Sequence, residues 1–192
     1  MSFPGPPTRA RRSGPPEGDP VVFAADEQSD HVVDVARLTR LAESVLAAEG
    51  VRGDCELSLY FVDEPTMADL NARFMDGEGP TDVLAFPLDD EVIEGGRLPD
   101  TGSSGPDRPP AEPSMLPLLL GDVVVCPAVA TRNAPDHAGD YEGEMALLVV
   151  HGVLHVLGMD HAEAEAAALM QERERALLEA FGERPMSSDG GT

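Results

Sequence analysis

The sequence predicts a single globular domain that contains both strands and helices. Of the 192 residues, 42% are apolar, which is enough for one packed core. Apolar residues recur with a period of two in some segments and at helical spacing in others. Proline, glycine and polar residues dominate both ends and one internal stretch. We therefore expect a domain over residues 21–182 with a flexible insertion at 89–117, and disordered tails at 1–20 and 183–192.

The first elements are predicted to alternate between strand and helix. The segment VVFAADE, which starts at Val21, is expected to be a strand. A helix follows in SDHVVDVARLTRLAESVLAAEG, where Ser29 or Asp30 is expected to cap the start and Gly50 to end the helix. The next segment, CELSLYFVD, alternates large apolar residues with Ser58 and Tyr60, which predicts a half-buried strand.

Three more helices and two more strands are expected in the rest of the chain. Asp63 and the proline two residues later mark the start of a helix in EPTMADLNARFM. PTDVLAFPL and LLLGDVVVCP are predicted as strands on either side of the insertion. After an irregular stretch, YEGEMALLVVHGVLHVLG is predicted as an apolar helix that Gly158 ends, and EAEAAALMQERERALLEAFG as a last amphipathic helix that Gly182 ends.

The charge and the apolar pattern limit the partners of the protein. The formal net charge of −23 argues against a broad, non-specific grip on nucleic acid, although it leaves room for a local cationic groove. The chain has no run of 18 apolar residues and no apolar secretory signal at its start, so we expect a cytoplasmic protein with no membrane partner and no DNA partner. Cys55 and Cys126 are far apart and are expected to be buried thiols.

Three histidines form a cluster in HGVLHVLGMDH, at residues 151–161. His151 and His155 are four residues apart, so they project from one face of a helix. Gly158 can adopt the left-handed conformation that ends a helix, which lets His161 approach from another direction. Zinc binds histidine nitrogen, and catalytic zinc sites commonly use three protein ligands. The cluster therefore predicts one zinc ion per chain, held by His151, His155 and His161.

The other polar residues near the cluster allow more than one interpretation. Asp160 could accept a hydrogen bond from a ligand histidine and fix its tautomer, or it could cap the final helix. His31 and His137 have no neighbouring metal-ligating residues in the sequence, and we expect them to be surface or capping residues.

Gly152 stands where zinc proteases of the metzincin type carry a catalytic glutamate, in the pattern H-E-x-x-H-x-x-G-x-x-H. That glutamate transfers protons during peptide hydrolysis, and a glycine cannot do so. A bound metal ion lowers the pKa of its water to about 7 without a protein base. RNA, in addition, carries its own 2′-hydroxyl nucleophile. The sequence therefore favours a substrate other than a peptide.

Three segments of the sequence resemble the YbeY-type rRNA maturation factors. HGVLHVLGMDH is similar to the family pattern H-G-x-L-H-L-x-G-x-D-H, with Val156 in place of a leucine. GPTDVLAFP at 79–87 is similar to P-T-D/N-V-L-S-F-P, with Ala85 in place of serine, and LGDVVVCP at 120–127 resembles L-G-D-I-x-I-C-x. The resemblance extends from about Val21 to Gly182, outside the insertion.

This resemblance implies an α+β fold with a small mixed β-sheet packed by helices, and a zinc-binding helix like that of metzincin-type sites. It implies that the three histidines bind zinc. It also implies cleavage of single-stranded RNA, such as an rRNA precursor, in 16S rRNA 3′-end maturation and ribosome quality control. Many members carry an arginine after the aromatic residue of N-x-x-Y-R, where this chain has Met75. The role of that arginine is not transferred, and Arg73 is expected to be a solvated surface residue.

Two other functions are weighed against a zinc-dependent endoribonuclease. One is a metallopeptidase, which Gly152 disfavours. The other is a non-catalytic assembly factor whose zinc is structural and whose surface binds proteins of the small ribosomal subunit. The acidity of the chain would favour the association of such a factor with a basic ribosomal protein. The sequence does not identify a general acid or base for any of these functions.

Overall fold

The computed structural model describes residues 18–88, 117–159 and 164–182. Four strands form one mixed sheet in the order β1-β2-β4-β3. Neighbouring strands are parallel from β1 to β2 and from β2 to β4, whereas β3 runs antiparallel to β4. This mixed sheet agrees with the α+β fold expected from the sequence. The strands are β1 (Val21–Asp26), β2 (Cys55–Phe61), β3 (Val83–Pro87) and β4 (Leu118–Val125).

Helices cover both faces of this sheet. On one face, α1 and α4 pack against the strands, and α5 packs against α4 and α1. On the other face, Met67 of α2 is buried with Leu84 and Val124 from the sheet. The helices are α1 (Val35–Ala48), α2 (Glu64–Phe74), α3 (Pro127–Asn133), α4 (Tyr141–Val156) and α5 (Ala164–Phe181), with a single 3-10 turn at Ala134–Asp136.

Most of the predicted elements are confirmed. The side chains of β2 alternate between buried and half-buried along its whole length, as the period-two pattern predicts. Helix α2 begins after Asp63, whose carboxylate accepts a hydrogen bond from the Thr66 backbone N–H at 2.9 Å. Cys55 and Cys126 are buried free thiols, and burial raises the pKa of each. Within the described residues, none of the helices has the length and apolar character required to cross a membrane.

The predicted cap of α1 at Ser29 or Asp30 is wrong. The helix begins at Val35, and the side chain of Asp34 accepts a hydrogen bond from the Arg37 N–H at 3.0 Å. The reason lies in Gln28, whose side-chain oxygen accepts hydrogen bonds from the backbone N–H groups of the two residues at 30 and 31, each at 2.9 Å. These bonds hold a turn at the positions where the helix was expected to start.

The stretch expected to be irregular before α4 contains the short helix α3, which the sequence analysis did not predict. A proline occupies its first turn, where the missing N–H group costs no hydrogen bond. The predicted tails, except for residues 18–20, and the predicted insertion, except for residue 117, lie outside the described residues.

At Gly152, helix α4 packs so closely on the sheet that there is no room for a side chain. A Cβ atom added to Gly152 would lie 2.5 Å from Cγ1 of Val123 on β4, and 3.3 Å from a methyl group of Val83 on β3. Carbon atoms do not pack at 2.5 Å, because optimal separations are about 3.5–4.0 Å. Gly152 is therefore required for helix packing, a role that the sequence analysis did not identify.

We predict that Gly152→Ala lowers the free energy of unfolding by about 1–3 kcal/mol, the usual cost of overpacking a core. The added methyl group would force α4 away from β4. Urea denaturation of the purified variant measures this loss. The double variant Gly152→Ala, Val123→Ala removes the two nearest methyl groups and should be less destabilised than the sum of its single variants. Additive effects of the two substitutions would contradict the contact.

Candidate metal centre and cleft

Helix α4 is largely apolar and carries a stripe of polar residues on one side. Glu144, His151 and His155 are spaced seven and four residues apart, which places them along one side of the helix. The helix begins after Asp140, whose carboxylate accepts a hydrogen bond from the Gly143 N–H at 2.8 Å. It is followed by Gly158, which has a φ of 85° and donates its N–H to the carbonyl of His155 at 2.9 Å. The predicted glycine turn is confirmed.

The imidazoles of His151 and His155 meet at their Nε2 atoms. These two nitrogens are 3.1 Å apart, and the rings are inclined at 80° with centroids separated by 4.6 Å. Two ligands of a tetrahedral zinc ion, each about 2.0–2.1 Å from the metal, lie about 3.3 Å from one another. The histidine pair therefore has a donor set and a spacing that fit a shared metal ion.

Glu174 of α5 orients the ring of His151. Its carboxylate oxygen Oε1 lies 2.7 Å from Nδ1 of His151, and the residue is only 3% exposed. A carboxylate at Nδ1 favours the tautomer that carries its proton there, so the Nε2 atom of His151 presents a lone pair towards His155. Glu174 thus lies at the second nitrogen of His151, the kind of contact that was considered for Asp160.

The complete set of three histidines is not described. His161, the third predicted ligand, and Asp160 both lie outside the described residues. Among the residues that the structure describes, no three histidine, cysteine, aspartate or glutamate side chains form a metal-binding group. The described part of the candidate centre consists of the histidine pair and the buried Glu174.

A cleft of about 460 Å³ lies beside the centre, between α4, α5 and the start of β3. Leu147, Leu148 and Met170 form apolar walls. The polar residues that line the cleft are Asp82, His137, Glu144, His151, Gln171 and Glu174. Such an apolar pocket with a few convergent polar groups is typical of a binding site.

His137 lies in this cleft, held by a carboxylate that is fully buried. Its Nδ1 atom is 2.9 Å from Oε1 of Glu144, and the second oxygen of Glu144 accepts the Ala138 N–H at 3.3 Å. The hydrogen bond to Glu144 raises the pKa of His137, burial opposes the rise, and the charges of Glu144, Asp82 and Asp136 add to it. His137 is exposed and caps the 3-10 turn, as expected for a surface or capping residue. The expectation that it has no chemically relevant neighbour is wrong, because Glu144, seven residues away, is hydrogen-bonded to it.

His31 lies outside this cleft. Its Nδ1 atom is 3.3 Å from the Thr131 hydroxyl, and its ring stands beside Tyr141 with a centroid separation of 6.2 Å. Arg73 is two-thirds exposed and pairs with Asp69 at 3.2 Å on the surface of α2, as expected for a solvated residue. Met75, at the position of the family arginine, is half exposed.

The three sequence motifs meet in one structural unit. Residues of GPTDVLAFP form β3 and residues of LGDVVVCP form β4, and these strands pair from Val83 opposite Val125 to Pro87 opposite Gly121. Helix α4, which carries the HGVLH motif, packs on both strands. Asp82 anchors the start of β3, because its carboxylate accepts the Val83 N–H at 2.9 Å and the Asn133 amide at 3.0 Å. The motifs thus build the support beneath the histidine pair.

Sequence comparison with known proteins identifies relatives and a family model that covers all three motifs. The sequence model of the family "Endoribonuclease YbeY" matches residues 23–182. An Endoribonuclease YbeY of Frankia alni is 40% identical over 178 residues, which cover 88% of this chain and 92% of the relative. An Endoribonuclease YbeY of Beutenbergia cavernae is 43% identical over 154 residues, which cover 80% of this chain and 93% of the relative.

A solved structure, the solution structure of TM1509 from Thermotoga maritima, is 21% identical and has a TM-score of 0.49 over 90% of this chain and 100% of that chain, which is too slight a likeness to carry a conclusion. The family match covers most of the chain, and the relatives are more than 30% identical over nearly their whole length. The chain therefore belongs to the endoribonuclease YbeY family, whose members are named as enzymes that cleave RNA.

Proposed function

We propose that this protein is a zinc-dependent endoribonuclease that cleaves single-stranded RNA and acts in 16S rRNA 3′-end maturation and ribosome quality control. One zinc ion per chain would be held by His151, His155 and His161. The observation that carries the proposal is the pair of Nε2 atoms 3.1 Å apart, with the buried Glu174 at Nδ1 of His151, in a chain of this family.

The residues of the chain position the metal and the substrate. Zinc, when bound, supplies Lewis-acid activation of a phosphodiester and of water at neutral pH. Glu174 holds the His151 ring so that its Nε2 atom is directed to the ion, and Gly152 allows α4 to lie close enough to β4 to keep the pair in place. Leu147, Leu148 and Met170 line the cleft with apolar side chains beside His151.

A metallopeptidase is disfavoured by the carboxylates that the cleft contains. Peptide hydrolysis at zinc needs a carboxylate that can take a proton from the reacting water. Glu144 and Glu174 are both buried and each is hydrogen-bonded to a histidine. The third carboxylate, Asp82, accepts hydrogen bonds from the backbone N–H of the next residue and from the Asn133 amide. Gly152, at the position of the protease glutamate, packs against β4 instead.

A non-catalytic assembly factor is the second candidate. The net charge of −23 would favour association with a basic protein of the small ribosomal subunit. The 3′ end of 16S rRNA in cells depleted of this protein separates the two functions. An unprocessed end supports the nuclease, whereas a normally matured end supports the assembly factor.

We predict that Glu174→Gln weakens zinc binding about 10–100-fold, the usual effect of removing a carboxylate that orients a metal ligand. Titration of zinc into the metal-free protein against a chelating indicator measures the affinity. Glu172→Gln is the matched control, since Glu172 is an exposed residue on the same helix and should bind zinc as the wild type does. His155→Ala should lose zinc almost completely.

Equal zinc affinities in the Glu174→Gln and Glu172→Gln variants would show that Glu174 does not orient a metal ligand. Full zinc content in His155→Ala would remove the histidine pair from the metal site. Thermal unfolding of each variant without zinc separates a loss of metal affinity from a loss of fold.

For the reaction, we predict that the zinc-loaded wild type cleaves single-stranded RNA and leaves casein intact. The reason is that the three carboxylates in the described part of the cleft, Asp82, Glu144 and Glu174, are each engaged in hydrogen bonds within the protein. Gel electrophoresis of labelled RNA and of casein measures both activities, with His155→Ala as the inactive reference. Hydrolysis of casein that His155→Ala abolishes would assign the site to a peptidase.

A further inference from the structure

The cleft contains few groups that can attract a polyanion. Among the described residues that line it, none is a lysine or an arginine, and three are aspartate or glutamate. The family arginine is replaced by Met75, and the chain as a whole carries a net charge of −23. RNA binding depends on cationic side chains that neutralise phosphates. Apart from His151 of the metal pair, His137 is the described lining residue that can carry a positive charge.

The geometry of His137 suits it to bind a ligand. Its Nδ1 atom is engaged by Glu144 at 2.9 Å, which holds the ring in one orientation. The side chain is nevertheless 47% exposed, so the ring remains accessible from the cleft. A protonated histidine has two N–H donors, and one of them is used by Glu144. The other donor, at Nε2, can form a charge-assisted hydrogen bond with a phosphate oxygen.

The position of Glu144 along α4 indicates which phosphate His137 can reach, because His137 precedes the helix and its ring is held against Glu144. Glu144 lies seven residues before His151, which corresponds to about 10 Å of helix at 1.5 Å per residue. A stacked strand advances about 3.4 Å per nucleotide, so 10 Å spans about three nucleotides, and fewer if the strand is extended. His137 is therefore placed at a neighbouring phosphate and not at the one that reacts beside His151.

We propose that His137, held by the buried Glu144, binds a phosphate of the RNA strand one to three nucleotides from the cleaved bond. The inference rests on the proposed function, because it takes RNA as the ligand of the cleft. It gives this chain a cationic phosphate contact in a cleft whose described lining has no lysine or arginine.

The contact would make RNA binding depend on pH. The groups that face His137 are Glu144 on α4, Asp136 in the 3-10 turn and Asp82 before β3, and all of them favour its protonated form. The pKa of His137 is consequently raised above 6.5, and the contact should be present below this raised pKa and lost as the pH increases through it. Phosphodiesters stay ionised throughout this range.

The experiment measures the binding of a fluorescent 2′-O-methyl oligoadenylate, which has no 2′-hydroxyl nucleophile, to the zinc-loaded protein between about pH 6 and pH 9, a range that begins below the ordinary pKa of histidine. Wild-type affinity should fall about tenfold over this range, as expected for one charge-assisted hydrogen bond. His137→Gln keeps a neutral donor for Glu144, and it should bind about tenfold more weakly than the wild type at the acidic end of this range, with little dependence on pH. His137→Arg should keep the strong binding up to pH 9. The matched control is His31→Gln, which should behave as the wild type.

Each result has a clear meaning when zinc content is measured alongside. Zinc binding as in the wild type together with weakened RNA binding in His137→Gln supports the phosphate contact. Unchanged RNA affinity in His137→Gln, or a loss of zinc from this variant, would overturn the inference. In that case, RNA cleavage by the wild type would still support the proposed function. A wild type that neither binds nor cleaves single-stranded RNA would overturn both.

Discussion

Twelve of the sixteen residues of α4 are buried, because this helix packs against β3 and β4 on one side and against α1, α3 and α5 on the others. A helix enclosed in this way can place polar side chains only where a cleft reaches it. That restriction gathers Glu144, His151 and His155 on one stripe. The close packing at Gly152 fixes the depth of the helix in the domain, and with it the position of the stripe.

Burial also explains why the polar residues of the cleft occur in pairs. A carboxylate removed from water needs a hydrogen-bonding partner, since an unpaired buried charge is strongly destabilising. Glu144 and Glu174 are 0% and 3% exposed, and each is bonded to a histidine that faces the cleft. Each histidine thus uses one ring nitrogen for a hydrogen bond to a buried carboxylate, while its ring lines the cleft. In the proposed function, His151 uses this arrangement for a metal ion, and in the further inference His137 uses it for a phosphate.

Features set by neighbouring residues were predictable from the sequence. The alternation of β2, the cap of α2 at Asp63 and the turn at Gly158 depend on side chains within a few positions, and the structure confirms them. The spacing of His151 and His155 likewise predicted that their rings would meet. The partnership of Glu174 with His151 crosses 23 residues, and helical periodicity does not tell which buried carboxylate of α5 faces which residue of α4.

The pairing of Glu144 with His137 could have been suspected, because Glu144 is a charged residue in an apolar helix, two turns before His151 on the same side. The cap of α1 at Asp34 could not have been predicted in this way, because it depends on the turn that the side chain of Gln28 holds before the helix. Gly152 illustrates a different difficulty. The sequence motif shows that a glycine stands where zinc proteases carry a glutamate. The short distance from this position to Val123 exists only once the helix is packed on the sheet, so the sequence does not reveal it.

The central claim is that His151 and His155 of α4, together with His161, hold a zinc ion. X-ray absorption spectroscopy at the zinc edge of the purified protein tests it most directly, because the spectrum reports the atoms bound to the metal. The account predicts one zinc ion per chain bound by three imidazole nitrogens at about 2.0–2.1 Å, and a loss of this imidazole signal in His155→Ala. Sulfur ligands at about 2.3 Å, or a spectrum that His155→Ala leaves unchanged, would contradict it.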